Sequence, residues 1–419
     1  MFIYTVKQGD SLFSISLKYN VLLDTIRLTN GLVQTNIVPG QSLLIPLYTY
    51  IVQPGDSFWM IARMACVSVD QLQTANPSIN PHFLQLGMVL IIPDISNHLA
   101  STLGYYIIRS PELDQALIND FAPYATYFSF FDYHFDYNGD LNELNDLRAI
   151  EAAWNRRVIP LATITNLTEE GFSPDLVRQM LNNPAIRQRL IENIVTLVST
   201  KGYGGINIDI EEVAAEDRDL FSGFLQQLSD RLRPAGFLLT IAVPPKESDD
   251  IPWFEGYDYG AIGSVVDFTF IMAYNWHYAG SGPGPIASIM RVRNTIEYAI
   301  SKMPSQKIIL GVPLFGFDWT LPFQTGSRAR ALSNQNAVHL AMQYQVPIQY
   351  SEIDESPFFE YVDEKGRLHA VWFEDSRSMC KKMQLIHEFR LEGIGAWHLS
   401  LGFPQGVWLL TKFFTIEKA

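Results

Sequence analysis

Apolar and polar positions change their rhythm along this chain. From about Leu99 onward, short apolar runs alternate with stretches of helical period. The runs Gly104–Ile108, Ala125–Phe130, Val158–Thr163, Gly205–Asp209, Leu238–Val243, Phe268–Tyr274, Lys307–Val312 and Ile394–Trp397 read as strands. Strands that alternate with helices form parallel sheets covered on both faces. Eight of them in roughly 320 residues predict an α/β fold, a single (β/α)8 barrel. Between the seventh and eighth strands, from about Phe315 to Asp375, the rhythm changes again. A short helix (Asn336–Tyr344) and strand-like runs at Phe358–Val362 and Leu368–Phe373 predict a small α+β insertion, with Asp363-Glu364-Lys365-Gly366 as a hairpin turn.

Ahead of the barrel the chain repeats itself. Tyr4-Thr5-Val6-Lys7-Gln8-Gly9-Asp10-Ser11-Leu12 returns 46 residues later as Tyr50-Ile51-Val52-Gln53-Pro54-Gly55-Asp56-Ser57-Phe58, and Asn30 returns as Asn76. The closing segment Pro39–Pro46 returns, less regularly, as Leu86–Pro93. Each copy predicts strand, helix, helix, strand. Gly-Asp forms the first turn, and Asp10 or Ser11 (Asp56 or Ser57 in the second copy) caps the helix that follows. Pro46–Thr49 and Pro93–His98 read as short linkers. The expected units are therefore 1–48, 49–95 and 99–419.

The stretch Gly204-Gly205-Ile206-Asn207-Ile208-Asp209-Ile210-Glu211-Glu212 carries the clearest chemistry. Strand alternation places Asn207, Asp209 and Glu211 on one face and the three isoleucines on the other. Two carboxylates and a carboxamide on a covered face are costly unless they bond to one another or do chemistry. Glu212 then points away, toward a surface ion pair. The ends of the sixth and eighth predicted strands, Met272-Ala273-Tyr274-Asn275 and Gly395-Ala396-Trp397, add an aromatic and polar set where such barrels place their active sites. Tyr133, His134, Phe135, Trp276, His277, Phe317 and Trp319 lie near other strand ends, where stacking on sugars and plain loop packing are equally open.

These motifs resemble the signature of family 18 glycoside hydrolases, the chitinase family. That signature runs Asp-Gly-x-Asp-x-Asp-x-Glu at the end of the fourth barrel strand, with a Met-x-Tyr-Asp motif on the sixth and a Trp on the eighth. Gly204, Asn207 and Asn275 stand where the family has aspartates. The two repeats resemble LysM domains, which bind N-acetylglucosamine-containing glycans. The resemblance implies a retaining, substrate-assisted hydrolysis of β-1,4 bonds, in which the 2-acetamido oxygen of the substrate is the nucleophile. Glu211 would be the acid and then the base. Asp209 would hold the acetamido N–H, and Tyr274 its carbonyl. Asn207, Met272, Asn275 and Trp397 would complete substrate binding, with Trp397 as an apolar floor and the Asn207 amide donating to Asp209. Two LysM modules before such a barrel resemble most the cortical-fragment-lysing N-acetylglucosaminidases that spore-forming bacteria use on cortex peptidoglycan during germination. A chitinase and a non-catalytic lectin are the alternatives.

Composition narrows the partners. The chain has 419 residues and a formal charge of -14, which argues against nucleic acid and anionic membranes. No apolar run is long enough to insert in a bilayer. The N-terminus, Met1-Phe2-Ile3-Tyr4-Thr5-Val6, lacks the features of a signal peptide. This is the expectation for a protein made in the cytoplasm and assembled at the spore coat or cortex; a signal removed upstream would point to the cell wall or exterior instead. The eight histidines show no ligand spacing, so neither a metal nor a cofactor is expected. A monomer is expected. The two cysteines, Cys66 and Cys380, fall in different predicted units and are expected to be buried free thiols.

Overall fold

The computed structural model describes residues 1–96 and 98–419. Eight parallel strands close into a barrel in chain order: His98–Ile107, Tyr127–His134, Ile159–Thr165, Gly205–Asp209, Leu238–Val243, Phe268–Ile271, Ile308–Pro313 and Gly393–Trp397. Closure comes from the eighth strand pairing with the first, Ile394 opposite Thr102. All eight predicted strands are present, and the sixth is shorter than expected. A further strand, Phe414–Ile416, pairs in parallel with the start of the first, His98 opposite Phe414. The apolar pattern did not distinguish it from the helix Pro404–Phe413 that runs directly into it.

Each N-terminal module is a two-stranded antiparallel sheet with two helices. Ser11 and Ser57 cap the helices Leu12–Tyr19 and Phe58–Met64. The aspartates beside them do other work. Asp10 accepts from the Tyr4 hydroxyl at 2.6 Å and the Lys7 N–H at 2.7 Å. Asp56 repeats this with Tyr50 at 2.7 Å and Gln53 at 2.7 Å. The buried Asn30 and Asn76 explain why the repeat returns an asparagine. Each donates to a helix carbonyl and to a strand carbonyl, and accepts from that strand's N–H. One carboxamide thus ties the second helix to the closing strand, leaving no buried polar atom idle.

The modules are not beads on linkers. Phe2 of the first stacks on Tyr50 of the second, ring centroids 5.1 Å apart. One continuous apolar core runs from both modules into the barrel. The insertion is a five-stranded antiparallel sheet, in the order Arg330–Ser333, Phe315–Leu321, Leu368–Trp372, Ser356–Val362, Gln349–Ser351, with the helix Asn334–Tyr344 on it. Its own small core includes Val38 of the first module. The Ile348 N–H donates to the Pro39 carbonyl at 2.9 Å, and Gln335 donates to Gly31 at 3.1 Å. Below it, a buried Glu374–Lys382 pair at 2.8 Å sits at the start of the helix Ser376–Phe389.

The cysteine expectation is overturned. Cys66 and Cys380 form a disulfide with Cα atoms 6.0 Å apart, joining the second module to the helix Ser376–Phe389. A separation of 314 residues carries no information about distance. The docking of the second module against that helix brings the two together.

Candidate active site

Register places the chemistry at one end of the barrel. Asp209 is the last residue of the fourth strand and lies opposite Thr165 of the third. It is nearly fully buried, and its Oδ1 has no hydrogen-bond partner among the described residues. An orphaned carboxylate oxygen in a barrel mouth is expensive unless something else is to meet it. Burial, with the Asp132 carboxylate second, pushes the Asp209 carboxyl up to about 7. Burial, then Asp209 and then Glu212, pushes Glu211 up to about 8. The two acids thus hold a proton together at neutral pH, which is what a general acid needs.

Asn207 differs from its expected role. It is fully buried inside the barrel, accepts from the Tyr105 hydroxyl at 2.7 Å and donates to Thr240 Oγ1 at 2.8 Å. Its amide bonds to Tyr105 and Thr240 and makes no hydrogen bond to Asp209; fully buried, it supports the strand from beneath. The reason is the register: Thr240 lies directly opposite it on the fifth strand. Glu212 is exposed, with φ +61°, and has no ion pair among the described residues. It lies three residues past the end of the strand, where the face alternation no longer holds.

Tyr274 lies beyond the sixth strand, buried, with its ring edge-on to Phe315 at 6.0 Å. Burial, then the Asp209 and Glu211 charges, raises its hydroxyl far above the usual tyrosine range, so it stays a donor. Met272 is half-buried. Asn275 is exposed with φ +67°, a conformation asparagine tolerates better than most residues. Trp397 ends the eighth strand, half-buried, and its ring is held edge-on by Tyr105 at 5.5 Å and Phe131 at 4.8 Å. Its exposed part forms an apolar surface at the barrel mouth.

Most of the remaining strand-end aromatics are packing. Tyr133, Phe135, Phe317 and Trp319 are buried; the Trp319 indole donates to the Ser281 carbonyl at 2.7 Å. Tyr133 and Tyr203 both donate to the buried Asp146. Trp276 and His277 remain half-buried. Sequence reasoning missed Asp132, on the second strand, which accepts from Thr165 Oγ1 at 2.7 Å and lies 3.3 Å from His134 Nδ1. A lone acid inside the run Phe130-Phe131-Asp132-Tyr133 was its available signal. Asn166, also missed, bonds the Glu211 backbone directly.

A closed parallel barrel carries two raised carboxyls, a buried tyrosine and a half-buried tryptophan at or just beyond the ends of its fourth, sixth and eighth strands. The chain belongs to the glycosyl hydrolases of family 18, whose family model matches residues 106–402, and carries two LysM domains, matched at residues 4–46 and 50–93. It is a glycoside hydrolase that binds glycan. The chain is 59% identical over its whole length to a candidate sporulation-specific glycosylase, YdhD, of Bacillus subtilis (strain 168), covering 100% of both. It is 37% identical to the cortical fragment-lytic enzyme of Bacillus anthracis, covering 99% of each chain. The crystal structure of the Bacillus cereus spore cortex-lytic enzyme SleL superposes with a TM-score of 0.89 at 36% identity, covering 99% of both chains. Among the described residues, no helix is long and apolar enough to cross a membrane.

Proposed function

We propose that this protein hydrolyses β-1,4 bonds at N-acetylglucosamine in spore cortex peptidoglycan, or in fragments of it, during germination. The observation that carries the reading is the end-to-end match, both modules included, to cortical fragment-lytic enzymes and to a cortex-lytic structure. The site chemistry fits. Glu211 gives its proton to the leaving oxygen while the acetamido oxygen of the substrate attacks C1. Asp209, with its free Oδ1, accepts the acetamido N–H and faces the positive intermediate. Tyr274 orients the acetamido carbonyl, and Trp397 receives the apolar face of the sugar. Met272 and Asn275 line the same mouth. Water then attacks with Glu211 as base, so the product keeps the β configuration. The protein acts as a monomer at the spore, outside the bilayer.

The test is incubation with purified cortex fragments and, separately, with chitin oligomers, followed by mass spectrometry of the new reducing ends. Reducing-end N-acetylglucosamine from cortex supports the proposal. Turnover of chitin alone makes the protein a chitinase, and turnover of neither overturns both substrates. A thiazoline analogue of N-acetylglucosamine should inhibit competitively; an inverted product would exclude the acetamido mechanism.

A further inference from the structure

Glu211 stands two residues past the end of the fourth strand, Gly205–Asp209, so the sheet does not hold its peptide group. The chain leaves the strand direction here, with Glu212 in the left-handed region at φ +61°. A partly buried peptide outside the sheet needs partners for both its N–H and its C=O, and a segment left unanchored would let the side chain swing.

One side chain supplies both. Asn166 follows the third strand, Ile159–Thr165, and is fully buried. Its Oδ1 accepts from the Glu211 N–H at 2.9 Å. Its Nδ2 donates to the Glu211 carbonyl at 2.9 Å and to the Ser173 carbonyl at 3.1 Å. The pairing of Thr165 with Asp209 is the last rung of the ladder. Beyond it, the carboxamide takes the place of a strand peptide and continues the pairing by one more residue. On the other side, the Tyr257 hydroxyl donates to the Ile210 carbonyl at 2.9 Å. Gly256 lies so close that a Cβ there would sit 2.3 Å from the Val213 carbonyl oxygen. The segment 210–213 is thus gripped by Asn166 at the end of the third strand and by Gly256 and Tyr257 in the loop that leads into the helix Tyr259–Val265.

We propose that Asn166 is the positioning residue of the catalytic carboxyl: by holding both polar atoms of the Glu211 peptide, it sets the direction in which that carboxyl enters the cleft. This rests on Glu211 being the acid. No ligand contact is required of Asn166, and all three of its hydrogen-bonding contacts are with backbone. Displacing a catalytic group by about 1 Å can cost on the order of 100-fold in rate.

Three variants separate the possibilities on soluble cortex fragments. Glu211→Gln tests the acid itself: if it turns over normally, the reading of Glu211 fails, whatever Asn166 does. Asn166→Ala is expected to lower kcat by about 10- to 100-fold with KM changed less than about twofold. A kcat within twofold of the parent, with Glu211→Gln inactive, overturns the proposal. Asn166→Asp serves also if the alanine variant fails to fold. As the neutral acid, the new carboxyl can still accept from the Glu211 N–H and donate to its carbonyl; once ionised it faces two carbonyl oxygens with no proton to give. The charged and titratable groups near it, Glu211 itself, Asp209, Glu212, Asp132 with His134, Tyr257 and Tyr274, are common to both proteins. The aspartate variant should therefore keep most activity at low pH and lose it at a lower pH than the parent. A pH–rate profile that parallels the parent's, at any level of activity, overturns the positioning role.

Discussion

Glu211 keeps its proton because burial and two neighbouring acids oppose its charge, and this has a consequence for stability as well as rate. A carboxyl with a raised value in the folded chain retains a proton that the unfolded chain has released. Stability therefore falls as pH rises from the ordinary glutamate range to about 8. Glu211→Gln should lose about 10²–10⁴-fold or more in kcat. Yet its Tm should exceed the parent's at pH 8 and equal it at pH 4, as read by calorimetry. The rate itself should fall as pH rises through the region near 8, where the acid pair loses its last proton. Tyr274→Phe should weaken both turnover and thiazoline inhibition, since a lost hydrogen bond to the acetamido group costs about 1–3 kcal/mol in each. An unchanged inhibition constant would remove Tyr274 from acetamido binding.

The five-stranded insertion and the loop 31–40 of the first module behave as one body, because Val38 fills the insertion's core. Gly40 makes the closest approach. Its φ is +80°, and a Cβ there would lie 1.7 Å from the Ile348 carbonyl oxygen. Gly40→Ala should therefore pry the first module from the insertion, at a cost of about 1–3 kcal/mol from backbone strain alone. A lowered Tm and faster proteolysis within residues 31–40 would be seen, and unchanged values of both would contradict the packing. The corresponding loop of the second module is open. Phe83 is 73% exposed, Leu86 is 67% exposed, and nothing lies within 4 Å of a Cβ on Gly87. Phe83→Ala should weaken sedimentation with insoluble cortex and leave turnover of soluble fragments unchanged.

Across the whole molecule, the modules are fused to the barrel by a shared core and by the Cys66–Cys380 disulfide. Closing a loop this long removes chain entropy from the unfolded state, up to about 5 kcal/mol on the entropic account. The Cys66→Ser, Cys380→Ser double variant should unfold at a lower temperature, and reductant should lower the parent's Tm but not the variant's. Equal melting of parent and variant without reductant would mean that the bond adds nothing. Removal of residues 1–93 strips part of that common core. It should therefore reduce turnover of soluble fragments as well as binding to insoluble cortex, rather than act as loss of a tether alone.

The barrel, the insertion and the repeat were legible in the chain because each depends on local periodicity: apolar runs that alternate with helical stretches, a hairpin at Asp363–Gly366, and an asparagine that recurs 46 residues on. Asp209, Glu211, Tyr274 and Trp397 could be proposed from the chain because each lies at or within three residues of the end of a strand that local periodicity locates, although the fourth strand stops at Asp209 and the alternation does not extend to Glu211. The remaining features depend on which strands become neighbours. Asn207 turns to Tyr105 and Thr240 because those side chains arrive from the first and fifth strands. Asp132 raises Asp209 from the second strand, and Asn166 grips Glu211 from the third. Cys66 meets Cys380 only when the second module docks. Composition and spacing along the chain specify what each segment becomes; the closed sheet and the docked modules decide which polar groups meet, because hydrogen bonds and Coulomb forces act over a few ångströms of space and are blind to separation in sequence.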